Sequence, residues 1–171
     1  TQGVSSAASD VYKRQVTGSF RDDVILGGSG ANTLTTTGGG DTLTGNGGAD
    51  TFNVNGGVAT ITDLGAGGAD VLKVSAGATA QATVAAAWTA TAATTNSGSV
   101  VLTDADGYAV NLAAVKTGTT GYTVDASGAV TGTTLTGSSL ADTLKGGSGD
   151  DTFVGFLGAD TVDGGAAGID R

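Results

Sequence analysis

A glycine-rich nonapeptide that repeats without gaps constrains this chain more than anything else in it. From Gly18 the blocks read GSFRDDVIL, GGSGANTLT, TTGGGDTLT, GNGGADTFN and VNGGVATIT. Position six is Asp23, Asn32, Asp41, Asp50 and then Ala59; position eight is Ile25, Leu34, Leu43, Phe52 and Ile61. The period stops after Thr62 and returns from Gly128 as GAVTGTTLT, GSSLADTLK, GGSGDDTFV and GFLGADTVD. There position six is Thr133, Asp142, Asp151 and Asp160, and position eight is Leu135, Leu144, Phe153 and Val162. The closing GGAAGID holds one extra residue, which sets Asp170 one place late. A shift of 119 residues lays Gly18 on Gly137, Asp23 on Asp142 and Asp41 on Asp160, so the two arrays are related.

Nine residues are too few to bury a face alone, so successive blocks must stack. Positions seven to nine are expected to form a short strand whose middle residue points inward, because side chains alternate across a strand. The glycine-rich half makes the turn. Two nonapeptides complete one coil, and coils stack as an all-β parallel β-roll, or β-solenoid. Equivalent turns then recur every eighteen residues, pairing Asp23 with Asp41, Asn32 with Asp50, and Asp142 with Asp160. Asp151 pairs with Asp170 if the extra residue is absorbed locally. Stacked strands lie roughly 4.8 Å apart. A cation about 2.4 Å from an oxygen on each side fills that gap, and this is a Ca²⁺–oxygen distance. The carbonyls of Gly27, Gly28, Gly30, Gly45, Gly47, Gly146, Gly147, Gly149, Gly164 and Gly165 are candidate further ligands. Without metal, two carboxylates at that spacing repel by about 1–3 kcal/mol.

GGSGDDTFV, GNGGADTFN and GGSGANTLT resemble the GGxGxDxUx nonapeptide of the RTX, or hemolysin-type, calcium-binding repeats. The resemblance covers residues 18–62 and 137–170. It implies several bound Ca²⁺ ions, calcium-dependent folding outside the cell, and export of the full-length protein by type I secretion machinery. Three departures stand out: Asn32 replaces one Asp, Thr36 and Thr37 replace a glycine pair, and Ala59 ends the first array.

Composition narrows the alternatives. The chain has 171 residues and a net charge of −9, and contains no His, Cys, Met or Pro. All sixteen acids are Asp, a residue suited to turns, whereas a helical surface favours Glu and Lys. The acidic balance leaves no basic stripe for nucleic acid. No apolar run is long enough for a membrane-spanning helix. Without His, Cys or Glu, neither a zinc hydrolase motif nor a His-based triad can be built, so no enzyme is expected within these residues. A catalytic domain of a protease or lipase is expected, if present, only in sequence beyond this chain.

The domain organisation read from the chain has four parts. Residues 1–16, SSAASDVYKRQ included, are set aside as a disordered or non-native leader. Residues 17–62 form the first roll, 63–127 a β-rich spacer, and 128–171 a second, truncated roll. Within the spacer, strands are expected at ATITDL, DVLKVS, SVVLTD, YAVNLA and GYTVDA. QATVAAAWTATAATTN leans towards strand, with Trp88 as a core plug. Asp104-Ala105-Asp106-Gly107 predicts a hairpin turn between SVVLT and YAVNL. It is not an EF-hand loop, which needs a closing Glu.

The expected role is a calcium-binding structural region of a secreted or surface-layer-like bacterial protein, located outside the cell or on its surface. An alternative is adhesion to another surface, or self-assembly. Outward Thr33 and Thr35, Thr42 and Thr44, and Thr60 and Thr62 would form threonine ladders, for which an ice-binding face is a narrower option. Thr143 and Lys145, Thr152 and Val154, and Thr161 and Asp163 interrupt them.

Overall fold

The computed structural model describes residues 14–166 and 168–171. It has seventeen strands, β1–β17 in chain order, and no helix among the described residues. Every strand pair is parallel, which requires each connection to travel round the molecule before rejoining the sheet.

One long wall runs the length of the structure. Its eight strands are β2 (Val24–Leu26), β4 (Gly40–Thr44), β6 (Val58–Leu64), β8 (Thr79–Val84), β11 (Ser99–Thr103), β13 (Thr123–Asp125), β15 (Thr143–Lys145) and β17 (Thr161–Asp163). The opposite side is divided. A first short wall holds β1 (Gln15–Thr17), β3 (Thr33–Thr36), β5 (Thr51–Val54), β7 (Val71–Val74) and β10 (Thr95–Asn96). A second holds β9 (Trp88–Thr89), β12 (Val110–Asn111), β14 (Thr134–Thr136) and β16 (Thr152–Val154). The changeover falls between β8 and β11, where one coil contributes β9 to the second short wall and β10 to the first.

The coils are not all the same length. In the arrays the register is eighteen: Val24 pairs with Thr42, Thr42 with Thr60, and Thr143 with Thr161. Between them it stretches. Thr60 pairs with Gln81, Gln81 with Val101, Val101 with Thr123, and Thr123 with Thr143. The residues of 63–127 therefore lose the nine-residue period yet hydrogen-bond directly to both arrays through the long wall. Strands form at each spacer position where β-branched and aromatic residues alternate with polar ones, QATV and Trp88 included.

Position eight fills the core as its inward side chain. Leu34, Leu43, Phe52, Ile61, Leu135 and Leu144 have no exposed surface, and Ile25 and Phe153 are also buried. The middle coils add Trp88, Leu102, Leu112, Tyr122 and Val124 to the same core.

Three expectations need correcting. Asp104–Gly107 is not a hairpin: β11 pairs with β8 and β13, and β12 with β9 and β14, so this turn is a corner between walls. A two-residue turn signal specifies local reversal, but here the partners on either side outcompete the hairpin. Residues 15 and 16, set aside with the leader, pair with Thr33 and Leu34 in β1; residues 1–13 lie outside the described residues. Val162 holds the inward position of the last strand but is 41% exposed, since β17 is the terminal strand of its wall.

Candidate metal centre

The position-six residues line two corners of each array, at the start of the strands or just ahead of them. Their geometry is a ladder rather than a set of facing carboxylates. Where the next coil carries an acid at the matching place, the backbone N–H donates to its Oδ1. In the first array Asp23 N donates to Asp41 Oδ1 at 2.9 Å, and Asn32 N to Asp50 Oδ1 at 2.7 Å. In the second, Asp142 N donates to Asp160 Oδ1 at 2.8 Å, and Asp151 N to Asp170 Oδ1 at 3.0 Å. All four sequence-derived pairs are thus brought together, the last across an offset of nineteen.

The ladders are longer than the repeat indicates. Asp50 N donates to Asp70 Oδ1 at 2.8 Å, and Asp70 Oδ2 accepts from Gly65 N at 2.8 Å. Tyr122 N and Thr133 N extend the second array, donating to Asp142 and Asp151. Asp70 was missed because its coil is two residues longer. Its signal was available, since GAGGADVLK from Gly65 is itself a nonapeptide with Asp in position six.

The second carboxylate oxygens divide into two groups. Asp23 Oδ2 accepts from Ser19 N and Oγ, Asp142 Oδ2 from Ser138 N and Oγ, and Asp151 Oδ2 from Gly147 N. The Ser19 bonds hold the Asp23 carboxyl below its ordinary range. In contrast, Asp41 Oδ2, Asp50 Oδ2, Asp160 Oδ2 and Asn32 Oδ1 are buried with no hydrogen-bond partner. A buried acceptor left unpaired costs about 1–3 kcal/mol, more if charged, so four of them on one repeat position call for a positive partner. Burial raises the Asp41 carboxyl, and pushes those of Asp50 and Asp70 up to about 6.

Glycine at position one makes room for this arrangement. A Cβ on Gly45, Gly146 or Gly164 would collide with Oδ2 of Asp50, Asp151 or Asp170. Turn carbonyls crowd the same corners. Gly45 O faces Gly27, Gly164 O faces Gly146, Gly146 O and Gly147 O face Gly165, and Gly149 O faces Gly168. Four of the expected carbonyls already accept protein hydrogen bonds: Gly27 O from Asn46 Nδ2 at 2.9 Å, Gly28 O from Gly47 N at 3.2 Å, Gly30 O from Asn32 Nδ2, and Gly147 O from Ala166 N at 2.9 Å. The Asn32 amide nitrogen sits among Gly28 O, Gly30 O and Asp50 Oδ1, so three oxygens converge on one point. Among the described residues no group of three or more acidic side chains gathers. A cation here would draw ligands from backbone carbonyls plus one or two carboxylates, an all-oxygen set suited to Ca²⁺.

The Asp50 and Asp70 carboxyls, both raised to about 6, set a pH dependence. Unfolded Asp titrates near 3.9, so between about pH 4 and 6 the folded chain binds more protons than the unfolded one. In chelator, stability is expected to fall as pH rises through that window and to be lowest above it. With excess calcium the trend should reverse, because the ion needs both carboxylates ionised. Thermal melts from pH 4 to 7.5, with and without chelator, would show two opposite slopes; parallel slopes would contradict it.

Fold and corners together define a repeat-built parallel β-roll with oxygen-lined turns. Residues 17–52, 26–61 and 136–167 match the family model of the RTX calcium-binding nonapeptide repeat (4 copies). Both arrays are RTX calcium-binding repeats, and a β-roll of this kind is a structural, non-catalytic calcium-binding fold. No curated protein and no solved structure matches the chain. No helix of the described residues is long and apolar enough to cross a membrane.

Proposed function

We propose that this chain is a calcium-gated folding module of a secreted or cell-surface bacterial protein. The observation that carries the reading is the set of orphaned oxygens on Asn32, Asp41, Asp50 and Asp160, all at position six. At low cytosolic calcium the clustered carboxylates oppose closure of the turns, which suits passage through a type I secretion channel. Outside the cell, calcium bound at the Asp23–Asp41, Asn32–Asp50–Asp70, Asp142–Asp160 and Asp151–Asp170 corners contributes its binding energy directly to folding. Extracellular calcium modules commonly bind at about 10⁻⁴–10⁻³ M, which places the switch between the two compartments.

A calcium titration followed by far-UV circular dichroism tests this, with magnesium and chelator as controls. Cooperative gain of β signal with calcium alone is expected. The pair Asp142→Ala and Asp160→Ala together should raise the midpoint about tenfold or more. A spectrum that is folded in chelator and indifferent to calcium would sink the mechanism.

A second reading, adhesion through the long wall, is favoured by one observation. Its outward rows are threonine-rich, and Thr44 and Thr62 hydroxyls stack at 2.7 Å. Asp125, Lys145 and Asp163 follow one another in that row and break its regularity. Glycan binding and ice-growth assays on the calcium-loaded chain would separate adhesion from a plain scaffold.

A further inference from the structure

We infer that the coils between the arrays, β8 to β13, close without calcium and act as the template on which both arrays stack. This rests on the calcium reading of the arrays and adds a division of labour within the chain.

Both regions contain local side-chain turns, in the arrays Ser19 Oγ with Arg21 N, Ser138 Oγ with Leu140 N and Asp163 Oδ1 with Gly165 N, but their buried corner acids are held differently. In the arrays every position-six acid except Asp23 takes an Oδ1 bond from a neighbouring coil; Asp23, Asp142 and Asp151 also accept at Oδ2 within their own turn, whereas Asp41, Asp50 and Asp160 make no side-chain bond there. Such a turn is held only when the next coil is already in place. In the middle coils the corner side chains accept from N–H groups two or three residues ahead. Asp104 Oδ1 takes Asp106 N and Gly107 N, Asn96 Oδ1 takes Gly98 N, Asn111 Oδ1 takes Ala113 N, Asp125 Oδ1 takes Ser127 N, and Thr91 Oγ1 takes Ala93 N. These are Asx- and Ser/Thr-type turns, which form locally and need no ion.

Charge and packing point the same way. From Thr79 to Ser127 the only charged residues are Asp104, Asp106, Asp125 and Lys116, whereas the flanking arrays carry most of the Asp. Little repulsion therefore opposes closure in the middle. The longer coils there enclose Trp88, Leu102, Leu112 and Tyr122, among the largest fully buried side chains of the molecule. Among the described residues the orphaned oxygens of this region are two hydroxyls, Thr94 Oγ1 and Tyr122 OH, and a single carboxylate oxygen, Asp104 Oδ2, against three carboxylate oxygens in the arrays, on Asp41, Asp50 and Asp160.

In a stack where each coil contacts only its neighbours, a preformed segment removes the cost of starting a coil from nothing. Both arrays abut it directly: β6 pairs with β8 on one side and β13 with β15 on the other.

Hydrogen exchange by mass spectrometry on the whole chain in chelator tests the division. Peptides from 79–127 should exchange at least about a hundredfold more slowly than those from 18–62 and 137–166. Adding calcium should then bring the arrays up to the same protection. Fast exchange everywhere in chelator overturns the template while leaving calcium-dependent folding intact. Slow exchange everywhere in chelator overturns the calcium reading itself. Asp104→Ala supplies the second arm. It should weaken protection of the middle in chelator and raise the arrays' calcium midpoint roughly threefold or more. An unmoved midpoint beside a weakened middle would show that the arrays do not fold on it.

Discussion

Replacing Trp88 by alanine is expected to lower the stability of the calcium-loaded chain by about 3–5 kcal/mol, the largest effect of any single core truncation. The indole is 1% exposed and lies in β9, the first strand of the second short wall. Its Nε1–H donates to Asp70 O at 3.0 Å, joining the end of the first array's carboxylate ladder to the coil where the short wall changes over. Truncation removes a large apolar volume and leaves that carbonyl unpaired, and a short β9 has little else to hold it. Trp88→Phe retains most of the volume and loses only the hydrogen bond, so it should cost about 1–2 kcal/mol. Urea unfolding followed by circular dichroism would measure both. Equal losses in the two variants would mean that the hydrogen bond, not packing, anchors the changeover.

Gly146→Ala is expected to cost about 3 kcal/mol or more and to disable the second array's calcium response. The new methyl would overlap Asp151 Oδ2 and lie 2.7 Å from Gly164 O. Expelling the Asp151 carboxylate would break its bonds from Thr133 N and Gly147 N, opening the corner both within the coil and between coils. Gly128→Ala is the matched control. Its Cβ would meet Ala105 Cβ at 3.5 Å, an ordinary contact, and stability should stay within about 0.5 kcal/mol of wild type. Calcium titrations and thermal melts of the two variants would make the comparison. A tolerant Gly146→Ala would show that the carboxylate does not need the cavity glycine leaves for it.

The glycine control also marks what kind of information the repeat carries. Because inward position eight and turn position six recur at fixed spacing, the sequence by itself determined the β-roll, its eighteen-residue coil and the pairing of Asp23 with Asp41, Asn32 with Asp50, and Asp142 with Asp160. Those features depend on alternation along a strand and on regular stacking, both of which are local and periodic. Even the pairing of Asp151 with Asp170 was legible, because one inserted residue can be taken up in a glycine turn.

Only the tertiary structure decided where periodicity fails. Asp70 joins Asp50 although its coil is two residues longer, and Asp104–Gly107 turns a corner where its local sequence signals a hairpin. The walls tolerate coils of different length because parallel strands pair through backbone groups alone, whatever the loop between them contains. The extra residues are absorbed at the corners, and no fixed period can report how many each corner takes. The continuous long wall, the divided opposite side and the orphaned position-six oxygens all follow from that stacking, since each depends on which coil lies next to which.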